Sequence, residues 1–233
     1  MFNKNRRGVV LAAGGALAAG AMGDMAWAAP PDRKLGYAIV GLGSYGLGVI
    51  IPQFKNCKNS RLVALVSGDA AKAKRVAQEY GVPDKNIYNY DNYDEIRNNP
   101  DIDIVYVCLP VSMHAEYTIR AAKAGKHVLC EKPMAVSSAE CESMIAACRQ
   151  AGKKLMIGYR CHFEATNIAA MRLAKQPDTG KIRYVRSEHG FIQGDPSRWR
   201  LKRALSGGGS LMDMGVYSLQ AARYSICAGS AYG

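Results

Sequence analysis

The chain has 233 residues, long enough for one complete core and part of a second. Hydrophobic residues make up 48 % of it and aromatics 8 %; past residue 28 no apolar run is long enough to span a bilayer, which argues against stable membrane insertion of the processed chain. The net charge of +12 is dispersed rather than gathered into a Lys/Arg block with interleaved aromatics, so no nucleic-acid partner is expected, and an anionic phosphate ligand accounts for the charge more simply.

The first residues read as an address. Asn5-Arg6-Arg7-Gly8-Val9-Val10-Leu11 sets adjacent arginines before an Ala/Gly/Leu-rich stretch, and Ala26-Trp27-Ala28 has the small-x-small form of a cleavage site. The stretch is short, glycine-rich and only mildly hydrophobic, which suits a twin-arginine signal (1–28) better than a Sec signal or an anchor. That route carries folded proteins, so it implies delivery to the periplasm with any cytoplasmic ligand already captured.

From Leu35 the pattern alternates short apolar runs with amphipathic segments, the rhythm of a parallel βαβ sheet. Strands are expected near Tyr37 to Val40, Leu62 to Val66, Ile87, Ile104 to Leu109, Val128 to Cys130 and Lys154 to Ile157. Helices are expected over Ala70 to Tyr80, Met113 to Ala124 and Ser138 to Ala151. Gly125 reads as a helix stop, and Ser137-Ser138-Ala139-Glu140 as a capping box. The whole predicts an α/β domain over 35–158 with a doubly wound parallel Rossmann sheet. A second region, 159–233, shows a helix from about Glu164 to Lys175, a turn at Pro177-Asp178-Thr179-Gly180, a strand-like Lys181 to Glu188 and a helix from Asp213. It is expected to be an incomplete α+β domain.

The seven cysteines, Cys57, Cys108, Cys130, Cys141, Cys148, Cys161 and Cys227, form no CxxC pair, so no zinc or redox metal site is expected. Cys108 and Cys130 lie in apolar runs and read as buried free thiols.

Gly41-Leu42-Gly43-Ser44-Tyr45-Gly46 directly follows the first apolar run and opens an amphipathic segment, the context in which a GxGxxG becomes informative. The glycines permit a tight turn and close backbone approach, leaving a diphosphate to sit on the amides of a helix N-terminus. A plain corner is the alternative reading. The second strand ends in Ser67-Gly68-Asp69 where an NAD-selecting chain usually places a carboxylate on the ribose. Ser67 and the cation of Lys72 suit a 2′-phosphate, which favours NADP, although a small backbone shift would bring Asp69 to the ribose.

Three further signatures follow in order: Leu109-Pro110-Val-Ser-Met-His114, Glu131-Lys132-Pro133, and Gly207-Gly208-Gly209-Ser-Leu-Met-Asp213-Met-Gly-Val-Tyr217. With the glycine fingerprint, this set resembles the glucose-fructose oxidoreductase and inositol dehydrogenase family (Gfo/Idh/MocA type) from about Leu35 to Tyr224. Most of that family carries histidine four residues after the aspartate. Tyr217 here is similar to the glucose-fructose and aldose-aldose oxidoreductase branch, as are Ser67 with Lys72, Gly158-Tyr159-Arg160 and Trp199-Arg200. The resemblance implies an NADP-dependent sugar oxidoreductase that keeps its coenzyme and passes hydride from an aldose to a second sugar. It also implies a homo-oligomer in the full-length family. It assigns Lys132 and Asp213 to holding sugar hydroxyls and Tyr217 to moving the proton. Leu109, Pro110, His114, Glu131, Arg160, Trp199 and Arg200 it places around the coenzyme.

An isolated phenol, with a pKa near ~10, is a poor base at neutral pH. The Lys132 ammonium or the positive nicotinamide ring is expected to lower it, while Asp213 opposes that and serves orientation and charge balance. On residue grounds alone, Asp213 and Tyr217 also read as a helix surface pair, Lys132 as a turn residue, His114 as structural and Trp199-Arg200 as packing. Two other functions stay open: an inactive NADP-binding fragment, and a conventional sugar dehydrogenase that exchanges free NAD(P).

Overall fold

Six runs rich in Val, Ile and Leu form strands, and the central ones are buried by intervening helices, the usual state of a parallel sheet. In the computed structural model, which describes residues 33–226, they are β1 (Leu35–Val40), β2 (Ser60–Val66), β3 (Ile87–Tyr88), β4 (Ile104–Val107), β5 (His127–Cys130) and β6 (Leu155–Ile157). The export-signal reading and Cys227 lie outside the described residues. All pairings are parallel, in the order β3-β2-β1-β4-β5-β6, the arrangement of a dinucleotide-binding sheet.

Residue alternation along β1 divides the core. Ala38 and Val40 face Tyr93, Ile96, Tyr117 and Met144, under α2 (His114–Lys123) and α3 (Ser138–Gln150). Ile39 faces the other way, onto Leu42, Ile51, Val76 and Ala77, under α1 (Ala70–Tyr80) and the helical segment that follows the glycine turn. Tyr93, the largest fully buried side chain, donates its hydroxyl to the carbonyl of Tyr117 at 2.9 Å, so its burial leaves no polar atom unmet.

Helix ends are closed by local caps. Asp69 caps α1 by accepting from the Lys72 amide at 2.9 Å, and Gly81 ends it at φ +69°. Ser137 caps α3 through the Glu140 amide at 3.2 Å; Glu140 reaches back to the amide of Val136, one residue before the donor a capping box uses. Two segments depart from regular helix. The turn after the fingerprint is π-helical over Gly46–Ile50 and 3-10 over Ile51–Asn56, and Leu211–Gly215 forms a second π turn.

The second region holds α4 (Ala165–Ala174), α5 (Arg203–Ser206) and α6 (Val216–Ile226), and no residue of α4 or α6 is buried. The strand expected over Lys181 to Glu188 is not formed. Residues 180–195 have no regular structure, and Tyr184 and Ile192 are 79 % and 96 % exposed. An alternating pattern makes a strand only beside another strand, and among the described residues none lies next to it. The segment is tied instead to α6, where the Ser187 hydroxyl donates to that of Ser218 at 3.0 Å.

Candidate active site

The site lies where strand order reverses, between the carboxyl ends of β1 and β4, which is where open α/β sheets place their ligands. Gly41 turns away from β1 at φ +96°; a Cβ there would stand 2.6 Å from the carbonyl oxygen of Cys108 and 2.9 Å from Leu109. A Cβ on Gly46 would stand 2.7 Å from the Gly41 carbonyl, so this glycine lets the helical segment close on its own turn. Gly43 is different, because a Cβ there would meet nothing within 4 Å. Its open side faces the groove and leaves the following amides accessible.

That groove encloses about 650 Å³. Gly41, Leu42, Gly43, Ser44, Tyr45, Ser67 and Lys72 line one part; Leu109, Pro110, Glu131, Lys132, Arg160, Trp199, Arg200, Asp213 and Tyr217 line the rest. The structure therefore gathers nearly every residue singled out in the sequence. The exceptions are Gly46, which packs behind the turn, and His114.

His114 is fully buried, with Nδ1 2.9 Å from the Pro133 carbonyl and Nε2 2.9 Å from the Leu109 carbonyl. Of its two readings the structure favours the structural one, because the ring ties the loop after β4 to the loop after β5. Burial pulls its pKa below the usual histidine value, against the two carbonyls, which favour the charged ring.

At one end, Ser67 is buried and its hydroxyl accepts from the Asp69 amide at 3.1 Å. The Asp69 carboxylate is occupied as the α1 cap and lies 3.6 Å from the Lys72 ammonium. The cap bond, with Lys72 and Arg75 nearby, holds that carboxyl below its ordinary value.

At the other end, Lys132 stands two residues past β5, joined to Pro133 by a cis bond, and reaches α6 and the turn before it. Its ammonium donates to the Asp213 backbone carbonyl and to Oδ1 at 3.1 Å, while Arg200 Nε lies 3.2 Å from Oδ2. Asp213 is thus held by two cations, and Arg200 also stacks on Trp199, 4.5 Å from the ring centroid. Lys132 Nζ lies 4.5 Å from the centroid of the Tyr217 ring, over its face rather than at its hydroxyl.

This geometry corrects one expectation. Burial raises the Tyr217 pKa instead of leaving it lowered, with Arg160 the cation that opposes the rise.

Tyr90, Cys108, Phe191 and Met214 also line the groove and were not singled out beforehand. Cys108 adjoins the Leu109-Pro110 signature, which is the one signal that pointed toward it. Tyr106 lies within β4, and its hydroxyl donates to Glu131 Oε1 at 2.5 Å. That contact depends on β4 to β5 register, which no local pattern reveals.

A doubly wound parallel sheet with a glycine turn and a groove at its switch point defines a Rossmann-type NAD-binding domain. The chain belongs to the GFO/IDH/MocA oxidoreductase family: the family's NAD-binding Rossmann-fold model matches residues 35–159, and its C-terminal domain model matches 168–228. Among solved structures, it is similar to the aldose-aldose oxidoreductase from Caulobacter crescentus complexed with glycerol, with 57 % identity and a TM-score of 0.81 over 83 % of this chain and 58 % of that one. Among curated proteins, it is 31 % identical over 194 residues to an uncharacterized oxidoreductase, ORF334, of Rhizobium meliloti (82 % of this chain, 56 % of the relative). It is 32 % identical over 202 residues to the NADP(+) D-xylose 1-dehydrogenase of Haloarcula marismortui (84 % and 55 %). The chain spans about half the length of the curated relatives it matches.

Proposed function

We propose that the protein is a periplasmic NADP-dependent sugar oxidoreductase of the aldose-aldose type, which keeps its coenzyme and passes hydride from an aldose to a second sugar. The observation that carries this reading is that Lys132, Asp213 and Tyr217 converge at one end of a groove whose other end is the open glycine turn. The residues present fit a dinucleotide: Gly43 leaves room for a diphosphate, and the volume is that of a cofactor site. The amides of Ser44 and Tyr45 would hold the diphosphate, with Ser67 and Lys72 at the ribose phosphate. Asp69 is already committed to capping α1 and is flanked by Lys72 and Arg75, which supports NADP over NAD. The NADP(+) dependence of the Haloarcula marismortui relative supports the same choice.

A nicotinamide held there would supply the acceptor for hydride from the sugar carbon and the donor for its return to the second sugar. Lys132 and Asp213, locked to each other, present an ammonium and a carboxylate to sugar hydroxyls, and Tyr217 takes the hydroxyl proton as hydride leaves. Arg160 makes the phenol a better base against the effect of burial. The oxidised aldose leaves as a lactone.

Retention of the coenzyme suits export, since free NADP is scarce outside the cytoplasm. Mass spectrometry of the natively purified protein is expected to show one NADP per chain and a leader removed after Ala28, and it reports assembly size in the same spectrum. Protein that binds neither pyridine nucleotide sinks the reading. Replacing Arg6-Arg7 with Lys-Lys is expected to hold the protein in the cytoplasm, and unchanged export refutes the address. A second reading, nucleotide binding without turnover, is favoured by one observation: Leu173, Leu219 and Ile226 on α4 and α6 stand exposed, so the helix bearing Tyr217 is packed on one side only. Bound coenzyme that shows no change in NADPH fluorescence with any sugar would decide for it.

A further inference from the structure

Glu131 is the acidic group in the groove wall that the mechanism above leaves idle. Tyr106 pairs across the sheet with Leu129, so Glu131, two residues on, falls on the same face and receives the Tyr106 hydroxyl on Oε1 at 2.5 Å. Its Oε2 accepts from the Lys132 amide at 3.3 Å. The end of β6 is kept bare for it: a Cβ on Gly158 would lie 3.0 Å from Oε1. The nearby ammonium of Lys132 is committed to Asp213, and among the described residues Glu131 forms no ion pair. The titratable groups facing it are Tyr106 from β4, Cys108 just after that strand, Cys130 beneath it, Lys132 beside it, Tyr45 from the helical segment and Tyr217 from α6.

Burial raises the Glu131 carboxyl above its ordinary value, while the Tyr106 hydroxyl, the Lys132 amide and ammonium, and Tyr45 pull it back. Burial also raises both phenols, Tyr45 to about 12, so they stay neutral and donate. Above its pKa the carboxylate is a partly desolvated negative charge bordering the end of the groove where Lys132 and Tyr217 meet. A nicotinamide ring there is positive when oxidised and neutral when reduced, so an unpaired carboxylate distinguishes the two forms.

We propose that Glu131 sets the balance between oxidised and reduced coenzyme in the groove, its carboxylate favouring the oxidised form and Tyr106 holding it in place. Glu131 is a positioning charge, and the proposal rests on the coenzyme reading above. The test is to measure the dissociation constants of NADP and NADPH by calorimetry for the wild type, Glu131→Gln and Tyr106→Phe, between about pH 5 and about pH 8.5. In the wild type, affinity for NADP relative to NADPH rises with pH as the carboxyl ionises. Glu131→Gln removes that dependence and weakens NADP relative to NADPH on the order of tenfold at the alkaline end. Tyr106→Phe keeps the carboxyl but loses its donor, so the transition moves to higher pH; this variant decides the matter if Glu131→Gln does not fold. A ratio in both variants that follows the wild type across the range overturns the role of Glu131. Wild-type protein that binds neither nucleotide overturns the coenzyme reading instead.

Discussion

Tyr217 has a ring held under the Lys132 ammonium and a hydroxyl influenced by Arg160, so its two parts do different work. Tyr217→Phe keeps the ring and its packing. It is expected to lower sugar-dependent hydride transfer by about 10²–10⁴-fold with NADP affinity unchanged, and steady-state rates beside a binding titration check it. His114 makes a prediction of the opposite kind. Its pKa in the fold is depressed, so it contributes stability that is present above about pH 6.5 and is lost as pH falls through its lowered value. Urea unfolding at about pH 7.5 and about pH 5 should show the wild type losing stability between them. His114→Gln should start lower and lose less, and an equal loss in both proteins removes His114 as the source. Neither property is visible in a string of residues, since the histidine motif is compatible with both a ligand contact and a buried tie.

At the scale of elements, the glycine turn and the loops after β4 and β5 make the groove by mutual approach. Gly41 sits at φ +96° with the Cys108 carbonyl where a side chain would start, so Gly41→Ala meets both backbone strain and a clash. A loss of at least about 1–3 kcal/mol in unfolding free energy is expected from the strain alone, together with loss of NADP binding. A variant as stable as wild type would contradict this account of the turn. The elements also show why some were legible beforehand. Strands β1 to β6 and helices α1 to α3 carry local instructions, namely apolar runs bounded by caps such as Ser137 and stops such as Gly125. Lys181 to Glu188 carries a strand pattern too, but a ladder is a property of two strands, and its alternation had no partner to act on among the described residues. The π turns at Gly46–Ile50 and Leu211–Gly215 were equally invisible, because helical periodicity does not separate one helix type from another over five residues.

Taken as a whole, the molecule has an uneven distribution of burial. Both core clusters draw on residues between Ala38 and Cys148, whereas residues 180–195 are exposed and outside regular structure. Limited trypsin digestion should therefore cut first after Lys181, Arg183 or Arg186, leaving the sheet intact, and NADP should slow that cut if Phe191 closes on the bound coenzyme. First cleavage within α1 to α3 would contradict this order.

The amino-acid order alone determined the α/β class, the strands and main helices of 35–158 and the glycine turn, because each is written in short-range pattern, and an ordered set of motifs drew attention to Lys132, Asp213 and Tyr217. Only the tertiary structure decided what those groups do to one another. It placed Lys132 over the Tyr217 ring rather than at its hydroxyl, turned Asp69 onto its own helix, buried His114 between two carbonyls and brought Tyr106 to Glu131. Charge and proton affinity depend on distances and desolvation across chain-distant segments, and those are set by strand register and packing rather than by any neighbour in sequence.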